Sequence, residues 1–330
     1  MIENVYPLQF VPVYKDYIWG GNRIETLYKR SSCPEICAES WEISDRHDGM
    51  SVVANGVLSG ASLHQIVETM PDELFGPDRH ETAFPLIVKI IDAKQRLSVQ
   101  VHPDDKTAKV LNAEAKTEMW YILSAKPGAK LFAGLKENTT EKDFTRSLKE
   151  NSVEQLLNSI PVHEGDSIYI PGGTVHAIGE GCLILEVQQN SNTTYRVYDW
   201  NRVDKNGNSR ELHIKEALQT INWTAGNCSV KRIGDMINSK GNQVQIIVSS
   251  PYFTTSRLEL RAREVLKNPC HGFSIIFTVK GSLAIEANGL KQILSSGQTC
   301  LLPAIISEYS LIPIDSKASA IHINQPVITA

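Results

Sequence analysis

Ser98-Val99-Gln100-Val101-His102-Pro103-Asp104-Asp105 comes a few residues after an apolar run, Phe84-Pro85-Leu86-Ile87-Val88-Lys89-Ile90-Ile91. The run reads as a strand buried on both faces. Residues 98–102 alternate instead. Side chains in a strand repeat with period two, so Ser98, Gln100 and His102 share the face opposite Val99 and Val101. The ladder stops at Pro103, which has no N–H to donate. Three polar groups thus leave one strand in one direction. Glu118 follows in Lys116-Thr117-Glu118-Met119-Trp120-Tyr121-Ile122-Leu123, and His176 in Ile170-Pro171-Gly172-Gly173-Thr174-Val175-His176-Ala177. Two imidazoles, a carboxylate and an amide on strand-like segments make a candidate metal site.

Outward from these segments the chain is strand-rich, with helices set into it. One helix is predicted from the N-cap Ser62 through Leu63, Ile66, Val67 and Met70 to a stop at Pro71. Others are predicted over 106–115, within 139–160 on an apolar set that includes Phe144 and Leu148, and over 211–221. Asn55-Gly56 and Asn288-Gly289 are hairpin signals. From about Gln243 the helical pattern ends, and 244–248, 253–260, 273–279, 282–287 and 299–302 read as strands. This tail echoes the middle of the chain. Gly165 to Pro171 and Gly297 to Pro303 share a Gly-to-Pro spacing, and Trp120-Tyr121-Ile122-Leu123 before Pro127-Gly128 matches Ile276-Phe277-Thr278-Val279 before Lys280-Gly281. A duplicated β unit is expected. Counted from the shared proline, Glu308 stands in the tail where His176 stands in the middle, so the second copy is expected to lack the metal ligands.

The 330 residues are enough for two domains with sizeable cores, and 42% hydrophobic and 21% charged residues are ordinary for a soluble globular protein. A net charge of −4 without a basic stripe argues against a nucleic-acid partner. Met1 to Pro7 show no basic flank followed by an apolar run, and the longer apolar stretches are interrupted by Lys89, Pro303 or Glu308. No membrane association is expected, and a cytoplasmic protein, monomeric or weakly self-associating, is the expectation. Cysteines at 33, 37, 182, 228, 270 and 300 fit free thiols in a reducing compartment, with the close pair Cys33 and Cys37 read as incidental.

Small jelly-roll barrels gather ligands from several strands facing one interior. Zn²⁺ held by two histidines and a carboxylate, with one position open, is a catalytic arrangement to which Gln100 could add an amide oxygen. Several further segments then bear on identity: Trp19-Gly20-Gly21, Ala38-Glu39-Ser40-Trp41-Glu42-Ile43-Ser44, Gly173-Thr174-Val175-His176-Ala177 and Tyr195-Arg196-Val197-Tyr198-Asp199. With Gln100-Val101-His102-Pro103-Asp104 and Lys116-Thr117-Glu118-Met119-Trp120, this set resembles the short bacterial form of type I mannose-6-phosphate isomerase, from about residue 5 to residue 325.

The resemblance implies a mostly β fold with inserted helices, a duplicated cupin-type jelly-roll β-barrel. Residues 1–240 would form the catalytic domain with the metal site, and 241–330 a cupin-like domain without ligands. It implies one Zn²⁺ per chain on Gln100, His102, Glu118 and His176, with Arg196 and Lys116 catalytic and Ser98 and Lys116 about a sugar phosphate substrate. The longer relatives carry Asn-His-Lys-Pro-Glu where this chain has Glu114-Ala115-Lys116-Thr117-Glu118, which leaves the proton-transfer base open. Moving a proton between C1 and C2 of a sugar builds charge on a carbonyl oxygen, which a metal ion and a fixed cation such as Arg196 can stabilise. Two other readings use the same residues. An Fe(II)-dependent oxygenase would use the two histidines and the carboxylate as a facial triad, and a sugar-phosphate-binding protein would keep the barrel without turnover.

Overall fold

The structure is a computed structural model that describes all residues except 1–4, 78, 205, 225–227, 232–236, 240, 269–271 and 326–330. The first residues of the N-terminal stretch and Cys270 therefore lie outside the described residues. Two compact units are formed, one from Tyr14–Ser40 and Ile87–Ile233, the other from Met1–Val13, Trp41–Leu86 and Gly234–Ala330. They interleave along the chain: the last segment of the one ends at Ile233, near the expected boundary at residue 240, but residues 1–13 and 41–86 group with the C-terminal segment.

In the first unit, Ser167–Ile170, Glu118–Ala125, Cys182–Gln189 and Leu86–Asp92 lie side by side within a seven-stranded sheet that continues to Glu39–Ile43 and Val13–Lys15. A five-stranded sheet runs Tyr195–Tyr198, Val99–Val101, His176–Ile178, Lys130–Leu135, Leu157–Pro161. Alternation in this second sheet sorts its side chains. Leu131, Ala133 and Ile178 join Trp120, Ile122 and Ile184 in one buried cluster. Val99, Val101, Phe132 and Ala177 join Phe144, Val153, Ala217 and Ile221 in another, so the inserted helices cover that face. Gln100 and His176, one residue out of phase with Val99, Val101 and Ala177, leave the sheet on the side away from the helices.

The second unit repeats this order. Thr299–Leu302, Ser274–Lys280, Ala318–Asn324, Thr254–Leu260 and Asn242–Ser249 are neighbours in one sheet, and Glu264–Lys267, Glu308–Pro313, Ser282–Ala287 and Leu290–Ser295 in the other. Apart from Tyr195–Tyr198 and Val230–Lys231, which have no counterpart among the described residues, this matches the strand order of the first unit, and all the pairings described are antiparallel. Where His176 faces Gln100 across its ladder, Glu308 faces Lys267. The fold class is therefore mostly β with inserted helices, and the duplication is one of topology. Asn288 (φ 50°) and Gly289 (φ 76°) make the two positive-φ positions of the hairpin joining Ser282–Ala287 to Leu290–Ser295.

Three local expectations are corrected. Asn55-Gly56 does not make a tight two-residue hairpin turn: the strand partner of Val52–Val53 is Phe10–Val11, and the chain folds back on it through a longer loop that ends in a single antiparallel bridge of Val52 with Ser62. The Asn55 side chain instead accepts from Gln9 N (2.9 Å) and donates to Pro7 O (3.0 Å). Pro71 does not only stop Leu63–Thr69, which is capped by a Ser62/Gln65 box; it opens a second short helix, Pro71–Phe75, where a missing N–H costs nothing. The helix within 139–160 ends at Lys149, a short 3₁₀ turn follows at Val153–Leu156, and Leu157–Pro161 is a strand. Among the described residues no helix is long and apolar enough to cross a membrane.

Candidate functional site

The ladder pairs His176 with Gln100, and Glu118 opens the strand that is hydrogen-bonded to Ser167–Ile170. These elements bring ligand atoms of His102, Glu118 and His176 within 4.8 Å of one another, all buried. His176 Nε2 lies 3.3 Å from Glu118 Oε1, and His102 Nε2 lies 3.6 Å from Glu118 Oε2. Each ring is held by its other nitrogen: His102 Nδ1 donates to Thr193 O (2.8 Å) and His176 Nδ1 to Thr174 O (2.9 Å). A carbonyl can only accept, so both Nδ1 atoms carry the proton and both Nε2 lone pairs face the carboxylate. His102 Nε2 and Glu118 Oε1 are buried without a hydrogen-bond partner among the described residues. Orphaned acceptors of this kind are costly to bury unless a cation joins them. The donor set fits a divalent metal ion.

Gln100 stands beside the centre with its amide nitrogen 3.3 Å from His176 Nε2 and its oxygen 3.3 Å from Ser98 Oγ. Exchanging the amide's nitrogen and oxygen, which leaves its shape unchanged, turns the oxygen to the centre as a fourth donor. The turn that carries His176 is tied to the strand end that carries His102, since Gly173 N donates to His102 O (2.7 Å). Gly172 packs so close there that a Cβ would lie 2.6 Å from Asp104 Cα. The Gly-Gly pair is thus a packing requirement of the site.

Burial lowers the affinity of both histidines for protons, His102 well below the usual range and His176 to about 4. Burial pushes Glu118 up to about 7, against the pull of the Lys116 ammonium, whose Nζ is 3.2 Å from Oε2. Metal binding then has a defined proton balance. Below about 7 Glu118 holds a proton that a metal must displace, whereas the histidines are already neutral. At about pH 6 binding should release about one proton, and apparent affinity should rise with pH through about 7 and level off above it. Calorimetric titration of metal-free protein in buffers of different ionisation enthalpy measures this; zero proton release at that pH would contradict it.

Beside the centre lies a cavity of about 300 Å³, at the low end for a small-molecule site. It reaches Gln100 and Lys116, and its walls include Ser98, Arg196, Arg210 and His213. Arg196 Nε donates to Ser98 Oγ (3.2 Å) and Nη1 to Glu211 O (2.9 Å), which orients the guanidinium. The sequence-predicted residues Ser98, Gln100, His102, Lys116, Glu118, His176 and Arg196 thus gather in one region of the first unit. His163 lies elsewhere, with a side chain 77% exposed, 3.7 Å from Asp166.

Four charged wall residues, Glu39, Lys89, Glu186 and Arg210, had no role assigned from sequence. Lys89 Nζ lies 3.6 Å from Glu39 Oε2 and 3.6 Å from Glu186 Oε2, and Glu186 Oε1 accepts from Trp120 Nε1 (3.0 Å). Burial alone would favour neutral Lys89, but Glu39 and Glu186 outweigh it and hold the ammonium charged. Burial likewise opposes the Glu186 charge, but Lys116 and Lys89 prevail and keep it ionised. The signal for Lys89 was present, since a lysine in the middle of a strand buried on both faces requires a counter-charge. Arg210 is the fourth: Asp199 Oδ2 accepts from its Nε (2.8 Å).

Comparison with known proteins places this geometry. Residues 7–159 match the model of the phosphomannose isomerase type I catalytic domain. The chain is 36% identical over 314 residues to the probable mannose-6-phosphate isomerase GmuF of Bacillus subtilis, covering 93% of this chain and 96% of that one. It is 35% identical over 309 residues to the mannose-6-phosphate isomerase of Streptococcus mutans, covering 93% and 95%. The crystal structure of the Bacillus subtilis mannose 6-phosphate isomerase superposes with a TM-score of 0.88 at 30% identity, over 98% of this chain and 100% of that one. A putative mannosephosphate isomerase from Archaeoglobus fulgidus, at 22% identity and a TM-score of 0.78, shares the fold. Likeness at this level along nearly the whole chain means that it belongs to the type I phosphomannose isomerase family.

Proposed function

We propose that the protein interconverts mannose 6-phosphate and fructose 6-phosphate, with one Zn²⁺ per chain held by Gln100, His102, Glu118 and His176. The observation that carries the reading is the buried His-Glu-His cluster with orphaned acceptor atoms, beside a cavity whose walls carry Lys116, Arg196 and Arg210. The relatives named as mannose-6-phosphate isomerases support the same substrate. When bound, the metal supplies a Lewis acid for the oxygen that gains charge as a proton moves between C1 and C2.

The chain's own groups divide the remaining work. Arg196, braced by Ser98 and the Glu211 carbonyl, sets a permanent cation against the enediolate oxygen. Lys116 touches Glu118 and lines the cavity, and is assigned contact with the sugar and proton handling at the reacting carbons. Ser98, between Arg196 and Gln100, is assigned a substrate hydroxyl or phosphate oxygen. Arg210, aligned in advance by Asp199, is assigned the phosphate.

The direct test is conversion of mannose 6-phosphate to fructose 6-phosphate by the purified chain, before and after chelation and with elemental analysis. Turnover that follows zinc content supports the reading; full turnover in metal-free protein, or stoichiometric iron with oxygen consumption, overturns it. Arg210→Ala tests the phosphate assignment. Loss of a charge-assisted contact of about 1.5–3 kcal/mol should raise KM for the sugar phosphate roughly 10- to 100-fold, with a much smaller effect on kcat and on unphosphorylated mannose. An unchanged KM would remove Arg210 from the phosphate site.

A further inference from the structure

We propose that Cys33 and Cys37 form a reversible oxidation site, converted by hydrogen peroxide into an intramolecular disulfide. By spacing the pair looked incidental, but the fold brings the two sulfurs into contact: the Cys33 thiol hydrogen-bonds the Cys37 sulfur at 3.2 Å. A disulfide needs about 2.05 Å, so the sulfurs have only about one ångström to close, within a turn-rich segment and not a rigid helix. No other pair of cysteines among the described residues shares a contact of this kind; Cys182 and Cys300 are buried, and their sulfurs face backbone carbonyls.

The two sulfurs differ in access, and that sets the order of events. Cys33 is half-buried and Cys37 is fully buried. A small peroxide reaches Cys33 first, because it is the more accessible of the two residues. The Cys33 sulfur attacks one peroxide oxygen, the O–O bond breaks, and a sulfenic acid and one water form. Cys37 then attacks the sulfenic sulfur, the S–O bond breaks, the S–S bond forms and a second water leaves. Two thiols lose two electrons and two protons, and the peroxide accepts both. A dithiol reductant reverses the change.

The position gives the site a connection to the cavity. Cys37 N donates to Gly21 O (2.7 Å) and Ala38 N to Lys15 O (2.8 Å), and a Cβ on Gly20 would lie 2.5 Å from Ala38 Cα. The next residue, Glu39, and Trp19 before the glycines are both cavity walls. A cross-link at Cys37 therefore fixes the start of the segment that supplies one wall.

The test treats the full chain under native conditions with hydrogen peroxide, then alkylates, digests with trypsin and weighs the peptide Ser31 to Arg46, which holds both cysteines. The expected product is two hydrogens lighter and takes no alkylating group, and dithiothreitol restores two sites. Loss of the free Cys33 thiol should be at least about tenfold faster than that of Cys182 or Cys300. In Cys37→Ser, and in Cys37→Ala should the serine variant misfold, Cys33 should be trapped as a sulfenic acid by dimedone, whereas Cys33→Ser should leave Cys37 reduced. Full alkylation of the wild-type peptide after peroxide, or no dimedone adduct in either Cys37 variant, overturns the proposal.

Discussion

His176→Ala is expected to abolish isomerase turnover and to weaken metal binding by at least about tenfold, with most of the fold retained. The imidazole is 1% exposed, and its Nδ1 bond to Thr174 O leaves Nε2 nothing to face except the Glu118 carboxylate and the Gln100 amide. Removing it takes one of three closely spaced donors and loosens the register that brings Gln100 in. The fold should survive because the surrounding ladder is made by backbone groups and the Trp120 edge contact is only one of the ring's neighbours. His163→Ala is the control, since that imidazole is mostly in solvent beside Asp166. Elemental analysis and a coupled assay on both variants decide the matter. Full zinc and normal kcat in His176→Ala would falsify the ligand assignment.

Arg196→Ala should lower kcat by about 10²- to 10³-fold, a loss of about 3–4 kcal/mol, while KM stays within a few fold. The reasoning is that charge on the carbonyl oxygen exists only as the proton moves, so the guanidinium is worth most at that moment. Two of its donors are spent on Ser98 and the Glu211 carbonyl, which aim the rest of the fork. Arg196→Lys should recover only part of the rate, because a point charge on a flexible stem cannot reproduce a braced planar fork. Zinc content should be unchanged in both variants. Ser98→Ala separates the brace from the charge: it frees Arg196 Nε without removing the cation and should cost less than Arg196→Ala. An Arg196→Ala enzyme with normal kcat would show that its hydrogen bonds only tie the cavity wall together.

What could be read from sequence followed period two and local turn chemistry. Val99 and Val101 against Gln100 and His102 is a short-range pattern, and it gave the correct face of the strand because one side had to meet the apolar cover of Phe144 and Ala217. The duplicated unit was readable from the Gly-to-Pro spacing because those glycines hold positive φ at equivalent turns, Gly165 at 88° and Gly297 at 82°. Glu39 and Glu186 were not readable as partners of Lys89, because the strands that carry them are neighbours only in the folded sheet. Arg210 lies in an irregular segment with no periodicity to give it a direction, and its clamp on Asp199 depends on how the chain folds back after Tyr195–Tyr198. The turn at Asn55 misled for a related reason, since its side chain bonds Pro7 and Gln9, nearly fifty residues away.

The line from Glu39 through Lys89 to Glu186, with Lys116 and Glu118 beyond it, alternates in sign at every step. Such a line restricts how the protein can drift over generations. Losing a member takes a counter-charge from its neighbours in the interior, and a buried charge left uncompensated costs about 3–5 kcal/mol, against a total folding stability of about 5–15 kcal/mol. Single exchanges along it would therefore be purged even where they touch no substrate, and only paired exchanges that keep the balance could spread. An engineer reshaping the pocket faces the same constraint, and the practical unit of redesign is the neighbouring couple.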